Sequence, residues 1–314
     1  MHLARITVGL TLAFILFAVA DAQAIAVIPV KVSKLYEVQG ESTTSNGRHF
    51  LAWTQTATPN AWGHGWNVML SIDGVRHQIS RRGSFSFPGG FSDAGTLVFQ
   101  QEFVKNPGNS DLYLWQTGHI SRFPIPINSA HWEYGGDLYG GWLVYGVNQF
   151  RRRSSPWEIV SYNLATKGKH ILARSTYGCG CVDTGNVVGT LASYRLNRRI
   201  VVQDVTGTAP IGYTVPPTGW FDDDAFLVDP TPGVPGDETL YWVRARSHAC
   251  GRGVKIMKAS LSDLGNPIVV DTLHPGADAI SLSVDDSTGT PNLFFGRGTC
   301  TKVSKGDLYE IPSA

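Results

Sequence analysis

The stretch Thr96-Leu97-Val98-Phe99 is one of six short apolar runs that are centred on a leucine and mostly end in an aromatic residue. The central leucines are Leu51, Leu97, Leu143, Leu191, Leu240 and Leu293, at spacings of 46, 46, 48, 49 and 53 residues. A repeat of this period, with several short strands in each unit, is typical of β-propeller blades. The sequence therefore predicts an all-β, six-bladed β-propeller. The alternatives are five blades with one decayed repeat and seven blades with one unnoticed repeat.

Each leucine run is followed by a loop and a second alternating strand, and most of these strands end in turn residues such as Asp73-Gly74 and Thr117-Gly118. Such pairs are hairpin signals. The innermost strand of each blade should precede its leucine run, and the candidates are 34–40, 84–89, 131–135, 178–183, 224–229 and 278–284. The last repeat ends at Ala314 without an outer strand. The β-rich stretch 25–32 is predicted to supply that strand and to close the ring, which would remove a free sheet edge.

The first 24 residues have the features of a secretory signal peptide. His2 and Arg5 precede an uncharged, largely apolar run from 6 to 20, and small residues at Ala22 and Ala24 offer two cleavage positions. The run is shorter than the roughly 20 residues that a membrane-spanning helix needs, so cleavage is favoured over an uncleaved anchor. The sequence thus predicts a secreted, periplasmic or otherwise extracellular protein without a membrane span in its mature chain.

Composition indicates that the mature chain, residues 25–314, is one folded domain. Hydrophobic residues make up 42% of the sequence and charged residues 16%, which is ample for a core and argues against disorder. The continuous repeat favours one large domain over two small domains. The protein is expected to be a monomer. A net charge of +1 does not fit a strongly basic nucleic-acid-binding protein, so no nucleic-acid partner is expected.

Four cysteines, Cys179, Cys181, Cys250 and Cys300, occur in this chain. An even number of cysteines in an exported protein is typical of disulfides, and three pairings are open. The pair Cys250 and Cys300 is favoured, because each follows its leucine run by a few residues and corresponding loops of adjacent blades lie side by side. Cys179 and Cys181 would then form a tight loop or stay reduced.

The second repeat carries Phe91-Ser92-Asp93-Ala94-Gly95 before its leucine run and Asp111-Leu112-Tyr113 after it. This resembles the propeller repeat of the TolB-like, WD-repeat-like family, in which Ser-Pro-Asp-Gly precedes an apolar pair and an aromatic, and an Asp-(Ile/Leu)-Tyr strand follows. Gly306-Asp307-Leu308-Tyr309 matches the second half. The chain lacks the family's proline after Ser92 and has no room for its separate α/β domain. The resemblance implies a six-bladed propeller and a protein-binding role, and it carries over no catalytic residue.

The loops that join the two middle strands of each blade are predicted to share a face with the loops between blades, where propellers usually bind ligands. These middle loops hold about half of the 26 lysines and arginines of a nearly neutral chain. Such clustering attracts anions, and arginine suits bidentate contacts with carboxylate, sulfate or phosphate. The alternative is an ordinary solvated loop surface. The residues concerned are Lys105, Arg151, Arg152, Arg153, Arg195, Arg198, Arg199, Arg244, Arg246, His248, Arg252, Arg297, Lys302 and Lys305.

Two segments offer aromatic contact surface. Trp62 and Trp66 flank His64 in the first long loop, and Trp220 begins an acidic stretch assigned to the connection between blades four and five. Aromatic faces suit stacking against a sugar or another flat ligand. The first pair could equally pack over its own blade edge.

The metal-ligand candidates are weaker. Asp222, Asp223 and Asp224 offer hard oxygen ligands for Ca²⁺, but no ordered calcium-binding loop is present, and pairing with the basic loops is the alternative. His131, His248 and His274, with His64, fall in loops assigned to one face. Several propeller lyases of acidic oligosaccharides use a histidine-rich metal site near the channel. The expectation is no cofactor, with Ca²⁺ as the alternative.

The favoured functional prediction is an exported binding or scaffold module for a partner protein or an anionic glycan. The rival is an extracellular hydrolase or lyase of acidic carbohydrate with a metal near the channel, and a structural protein without a ligand is the third alternative. No sialidase-type Asp box, nucleophile elbow, His-Glu-x-x-His pair or phosphate-binding loop occurs, so catalytic residues stay unassigned. The predicted ligand-binding residues are Arg152, Arg244, Arg246, Arg252, Arg297, Trp62, Trp66 and Trp220, and the predicted metal ligands of the rival are His131, His248 and His274.

Overall fold

The chain folds into β-strands joined by short turns. The computed structural model describes residues 30–31, 37–45, 47–56, 65–81, 83–92, 94–103, 109–124, 126–148, 156–175, 182–231, 234, 236–246, 253–274, 277–286, 289–299 and 302–312. In these ranges the secondary structure consists of 24 strands, β1 to β24, and one 3₁₀ turn at Leu261–Asp263. No helix within the described ranges is long and apolar enough to cross a membrane.

The strands form six antiparallel groups, numbered here blades 1 to 6 and preceded by β1 (Val30–Lys31). Blade 1 contains β2 (Glu37–Ser45), β3 (Arg48–Thr56), β4 (Trp66–Ile72) and β5 (Val75–Gln78), and blade 2 contains β6 (Ser84–Phe91), β7 (Leu97–Phe103), β8 (Ser110–Gln116) and β9 (His119–Arg122). Blade 3 contains β10 (Trp132–Tyr139), β11 (Trp142–Asn148), β12 (Trp157–Asn163) and β13 (Lys169–Arg174), and blade 4 contains β14 (Val182–Val188), β15 (Leu191–Leu196), β16 (Arg199–Asp204) and β17 (Pro210–Tyr213). Blade 5 contains β18 (Trp220–Val228), β19 (Thr239–Arg246), β20 (Lys255–Ser260) and β21 (Ile268–Thr272), and blade 6 contains β22 (Ala277–Asp285), β23 (Asn292–Thr299) and β24 (Lys302–Ile311).

The innermost strands of the six blades form a ring. β2, β6, β10, β14, β18 and β22 contact one another in that order, and β22 in turn contacts β2. Single parallel bridges, Trp66 with Phe85 and Trp132 with Ser110, connect blade 1 to blade 2 and blade 2 to blade 3. This arrangement is a β-propeller, which leaves only short strand edges exposed. The predicted all-β propeller is thereby confirmed.

The leucine runs form the second strand of each blade, and their pattern follows from packing on both faces. In blade 2, Leu97 and Phe99 face the core shared with blade 1, whereas Val98 faces the core shared with blade 3. In blade 3, Leu143 and Tyr145 face blade 2, and Val144 faces blade 4. Because successive side chains of a strand point to opposite faces, a strand buried between two neighbours is largely apolar at consecutive positions.

Every innermost strand contains a β-bulge at the same level of the ring. The register shifts fall at Val38/Gly40, Pro88/Phe91, Tyr134/Asp137, Thr184/Val187, Asp223/Phe226 and Ala279/Ser281. At the blade 2–blade 3 junction a Cβ added to Gly89 would lie 2.0 Å from the carbonyl oxygen of Gly136. At this junction the bulges therefore bring the two backbones closer than any side chain allows, and glycine is required at position 89.

The bulges also explain where the predicted strand boundaries were wrong. The candidates 34–40 and 224–229 correspond to β2 and β18, which extend over Glu37–Ser45 and Trp220–Val228. A bulge interrupts the alternation of inward and outward side chains, so the apolar pattern stops short of the true strand. In particular, Trp220 and the three aspartates after it belong to strand β18, and the assignment of this segment to a connecting loop was wrong.

β1 pairs antiparallel with β24 at the outer edge of blade 6, with Val30 opposite Glu310 and Lys31 opposite Tyr309. These two residues belong to the stretch 25–32 that was predicted to complete the last blade. Residues 25–29 and 32 lie outside the described residues, so closure by the whole stretch stays a prediction. The predicted signal peptide and the four cysteines also lie outside them.

Replacing Gly89 with alanine is expected to destabilise the propeller by about 1–3 kcal/mol, because the methyl group would overlap backbone atoms that cannot move independently. Gly265→Ala is the matched control, since its Cβ would meet only Asp263 Oδ1, at 3.9 Å. The free energy of unfolding, measured by urea denaturation, should fall for Gly89→Ala and change by less than about 0.5 kcal/mol for the control. An unchanged value for Gly89→Ala would contradict the close approach of blades 2 and 3.

Candidate functional site

The ring of innermost strands surrounds a central cavity of ≈ 340 Å³. Blades 2 to 6 contribute to its wall, which follows the level of the bulges. Blades 2 and 3 provide an aromatic side, and blades 4 and 5 provide a side with carboxylates. The lining residues that matter below are Phe85, Phe87, Trp132, Tyr134, Trp157, Asp183, Thr184, Asp224 and Ser281.

The aromatic side of the cavity consists of two sets of rings. The centroids of Trp132 and Trp157 are 5.8 Å apart, and Tyr134 lies 6.2 Å from the first and 5.3 Å from the second. Phe85 and Phe87 form an edge-to-face pair at 4.6 Å. The Tyr134 hydroxyl donates to a backbone carbonyl of blade 4 at 3.2 Å, which orients the ring. Tyr134 is buried, whereas the other four rings are partly exposed and present apolar surface to the cavity.

The carboxylate side is organised around Arg195. Its Nη1 lies 2.5 Å from Asp223 Oδ2, and its Nη2 lies 3.8 Å from Asp183 Oδ2. Asp224 adds a third carboxylate near the guanidinium. Desolvation lowers the pKa of Arg195, but the surrounding carboxylates outweigh it and the net shift is upward. Three acidic groups against one arginine leave this side of the cavity negative.

Asp183 is accessible from the cavity, with 44% of its side chain exposed, and yet its pKa is raised. The main cause is desolvation by the surrounding walls, which disfavours the ionised form, and Arg195 opposes it. Both facts follow from its position, because the carboxylate is open to the cavity but enclosed by the walls of the ring. A carboxylate in a cleft with such a shift is typical of functional sites.

The three consecutive aspartates of β18 have three different surroundings. Asp222 is fully buried and forms two hydrogen bonds with Arg244, at 2.6 and 2.9 Å. Asp223 contacts Arg195, and Asp224, with φ of 44°, lines the cavity. Asp222 and Asp223 thus pair with arginines, as the alternative to a calcium site predicted. Within the part of the chain that the structure describes, no three His, Cys, Asp or Glu residues are grouped as a metal site.

Of the histidines predicted as metal ligands of the enzyme, the structure describes His131 and His274, and it does not bring these two together. His131 immediately precedes the innermost strand of blade 3, and His274 precedes that of blade 6. Blades 3 and 6 are three places apart in a ring of six. His248 and His64 lie outside the described residues.

A basic cluster lies where blade 4 meets blade 5 on the predicted loop face; it is called the Trp220 cluster and comprises Trp220, Arg198, Arg246 and Lys255. The guanidinium carbon of Arg246 lies 5.2 Å from the Trp220 ring centroid, and Lys255 Nζ lies 5.5 Å from it. Arg198 donates from Nε and Nη2 to the Trp220 carbonyl oxygen, at 3.2 and 2.7 Å. Considering described residues only, none of these three cations forms an ion pair.

The Trp220 cluster borders a groove of ≈ 430 Å³ that extends toward the outer strand of blade 4. Arg199 and Tyr213 form its far side, with the Arg199 guanidinium carbon 4.8 Å from the Tyr213 ring centroid. Cation–π attraction holds Arg199, Arg246 and Lys255 against aromatic rings, and hydrogen bonds hold Arg198. They are thus positioned without being neutralised.

The other predicted ligand-binding residues have other surroundings. Arg244 is 7% exposed and is engaged with Asp222, and Trp66 is 4% exposed and packs against Phe85 and Phe87. These two therefore contribute to the interior rather than to a ligand surface. Arg297 lies in β23, with its guanidinium carbon 5.5 Å from the Tyr309 ring centroid. Arg152, Arg252, Trp62 and the predicted disulfide, Cys250 with Cys300, lie outside the described residues.

Sequence reasoning did not identify the cavity wall. Trp132, Trp157 and Asp183 belong to no motif, and they approach one another only through the ring. Their position in the repeat could have indicated them, because residues close to the bulge of an innermost strand face the axis of a propeller. Arg195 was assigned to the basic loops, but it lies in β15 and contacts carboxylates of blades 4 and 5.

A second buried carboxyl, Glu133, lies between blades 2 and 3 next to the cavity wall. It is fully buried, and its Oε1 accepts hydrogen bonds from the Ser129 backbone and hydroxyl. Within the described residues, its Oε2 and the Tyr145 hydroxyl have no hydrogen-bond partner. Burial raises the pKa of Glu133 to about 7, the Ser129 hydrogen bonds lower it, and the nearby Asp111 raises it further.

The fold is shared with solved structures, whereas no protein-family model and no curated protein matches the chain. A Trypanosoma rangeli sialidase in complex with sialic acid aligns with a TM-score of 0.57 and 11% identity, over 92% of this chain and 57% of the sialidase. The six-bladed, fucose-recognising lectin of Aleuria aurantia aligns with a TM-score of 0.50 and 9% identity, over 87% of this chain and 95% of the lectin. At these identities the likeness shows the β-propeller fold alone.

A putative TolB from Agrobacterium tumefaciens aligns with a TM-score of 0.32 and 11% identity, over 72% of this chain and 62% of that one. A likeness this weak carries no argument, and the TolB-like family is not confirmed. The chain spans little more than half of the sialidase, 57% of its length, so the activity of that longer protein is not transferred.

Arg244→Ala is expected to destabilise the protein by about 3–5 kcal/mol, because it would leave the carboxylate of Asp222 buried without its partner. Arg246→Ala, two residues along the same strand, should change the free energy of unfolding by only about 0.5 kcal/mol, since Arg246 is exposed. Urea denaturation of the two variants measures the difference. Equal losses would contradict the division into one structural and one surface arginine.

Glu133→Gln is expected to flatten the pH dependence of stability. The folded-state pKa of about 7 lies above the ordinary value of 4.5, so the stabilisation is present below pH 4.5 and is lost as the pH rises through 7. The wild type should lose up to about 3 kcal/mol over this range relative to the variant, which has no charge to bury. Unfolding free energies of both proteins at pH 4 to 8 provide the measurement, and a constant difference between them would contradict the assignment.

Proposed function

We propose that the protein is an exported β-propeller binding module that recognises an anionic group through the Trp220 cluster. The observation that carries the proposal is that three cations contact Trp220: Arg246 and Lys255 lie over its ring, and Arg198 donates to its carbonyl oxygen. Anionic groups of this kind occur on acidic glycans and on acidic segments of partner proteins. The glycan is favoured by the aromatic groove beside the cluster, which suits contact with sugar rings.

The cluster has the chemistry of an anion site. The guanidinium of Arg246 offers paired N–H donors that match carboxylate or sulfate. Arg198, whose Nε and Nη2 donate to the Trp220 carbonyl, adds a second guanidinium charge, and the ammonium of Lys255 adds a point charge. Cation–π contacts with Trp220 restrict Arg246 and Lys255, so less side-chain entropy is lost when a ligand binds. Arg199 extends the positive surface along the groove. A ligand longer than a single sugar could therefore contact both ends.

Two of the similar structures belong to proteins that bind saccharides, which is consistent with the proposal of a glycan ligand. The sialidase is in complex with sialic acid, and the lectin recognises fucose. Both are statements about those proteins, and the likeness extends only to the fold. The rival proposal of a metal-dependent hydrolase or lyase has less support, because the two described candidate ligands, His131 and His274, precede the innermost strands of blades three places apart in the ring.

We further propose that residues 1–24 direct export and are removed, and that the mature domain from residue 25 is secreted or periplasmic. Pairing of β1 with β24 supports closure of blade 6 by the N-terminal stretch. Cys250 and Cys300 each lie shortly after the second strand of adjacent blades, which supports a disulfide between them.

The double variant Arg246→Gln, Lys255→Gln tests the anion site. Retention on immobilised heparin and on polygalacturonate should weaken, with about a tenfold lower affinity at low salt if each contact contributes about 0.7 kcal/mol. Added salt should reduce the difference, because screening acts on exposed charges. The measurement is the salt concentration at elution, complemented by calorimetric titration with a soluble oligogalacturonate.

The matched control is Arg76→Gln, Lys258→Gln. It removes the same two types of cation, each also near an aromatic ring, from blade 1 and from a different part of blade 5. The control should elute close to the wild type. An equal loss in both double variants would mean that only the total charge matters, and the proposed site would then be wrong.

A further inference from the structure

We infer that the central cavity is a second binding site, for a single amino sugar with a free ammonium group. The inference rests on the aromatic rings of blades 2 and 3 facing the carboxylates of blades 4 and 5 across one cavity. It does not depend on the proposed anion site, which lies between blades 4 and 5 on the loop face.

The size of the cavity limits the ligand. Its volume of ≈ 340 Å³ lies at the lower end of the range for small-molecule sites, about 300–1,000 Å³. This is suitable for one sugar ring with its substituents and too small for an extended chain. Because strands of five blades form the wall, the site is available only in the assembled propeller.

The charge of the cavity selects a cation. Arg195 contacts Asp223 at 2.5 Å and Asp183 at 3.8 Å, and Asp183 and Asp224 line the cavity. When all are ionised, three carboxylates and one guanidinium give a net charge of −2 on this side. The field excludes carboxylated or sulfated sugars and favours an ammonium group, and the low dielectric of the surrounding protein strengthens the interaction.

The opposite wall suits a pyranose ring. Trp132 and Trp157 form a partly exposed aromatic surface, with Tyr134 fixed beside them. Such rings bind the apolar face of a sugar and also attract a cation through their π-systems. The hydroxyls of Thr184 and Ser281 line the cavity and can contact sugar hydroxyls. Apolar surface with a few polar groups is the composition typical of small-ligand sites.

The charge of the two sites is opposite. The Trp220 cluster is positive, whereas the cavity is negative, so one ligand group cannot suit both. A change in the cavity should therefore leave retention on an anionic matrix unaltered. This separates a failure of the present inference from a failure of the proposed function.

The test is calorimetric titration of the mature protein with glucosamine, with tryptophan fluorescence as a second readout, since two tryptophans line the cavity. Saturable binding of glucosamine is expected. N-Acetylglucosamine, glucose and galacturonate, which lack the ammonium group, should bind at least tenfold more weakly. Equal binding of N-acetylglucosamine, or absence of saturable binding, would overturn the inference. Tighter binding of lysine methyl ester would also overturn it, because the site would then recognise an ammonium group rather than an amino sugar.

Asp183→Asn and Asp224→Asn should each weaken glucosamine binding about five- to tenfold. Both variants are expected to fold, because Asp183 is 44% exposed in its side chain and asparagine tolerates the φ of 44° at position 224. Asp263→Asn, an exposed aspartate in the 3₁₀ turn, is the matched control and should bind as the wild type does. Unchanged binding in both cavity variants would place the ligand elsewhere and refute the site.

Discussion

The close approach of six innermost strands at their bulges is the constraint on which the rest of the structure depends. At the junction of blades 2 and 3, the space beside Gly89 is already occupied by the carbonyl oxygens of Gly135 and Gly136. The same level of the ring carries a register shift in every blade. A bulge twists its strand and turns nearby side chains toward the axis. The packing of the ring and the lining of the cavity therefore have one common cause.

The blades owe their stability to burial on both faces. Leu97 and Phe99 contact one neighbouring blade and Val98 contacts the other, so each second strand joins two separate cores. This makes the repeat tolerant of sequence change as long as the strand stays apolar. It also explains how a propeller can share its fold with a sialidase and a lectin at about 10% identity, since packing requires apolar character rather than particular residues.

Burial distinguishes the charged side chains that stabilise the fold from those that lie at the surface. The pair of Asp222 and Arg244 is inside the protein, and its members satisfy each other through two hydrogen bonds. Arg246, two residues further along the strand, is exposed and lies against Trp220. Both arginines lie on the same face of β19. Their roles differ because Arg244 is opposite the buried Asp222 in the strand register, whereas Arg246 lies at the exposed end of the strand. Asp223 points to the other face of β18 from Asp222 and contacts Arg195, and at the bulge the left-handed backbone of Asp224 brings this residue to the cavity.

The sequence by itself determined the propeller class, the six repeats, the second strand of each blade and most hairpin turns, because these depend on local periodicity and on the requirement that a doubly buried strand be apolar. Local pattern failed at the bulges, where β18 begins earlier than alternation indicates, and it placed Trp220 in a loop. Only the tertiary structure decided which charged side chains form buried pairs and which lie at the surface. Asp222 and Arg244 are 22 positions apart and meet through the register of β18 and β19. The cavity could not be predicted from local sequence, because residues of five blades form its wall and meet only when the ring is assembled.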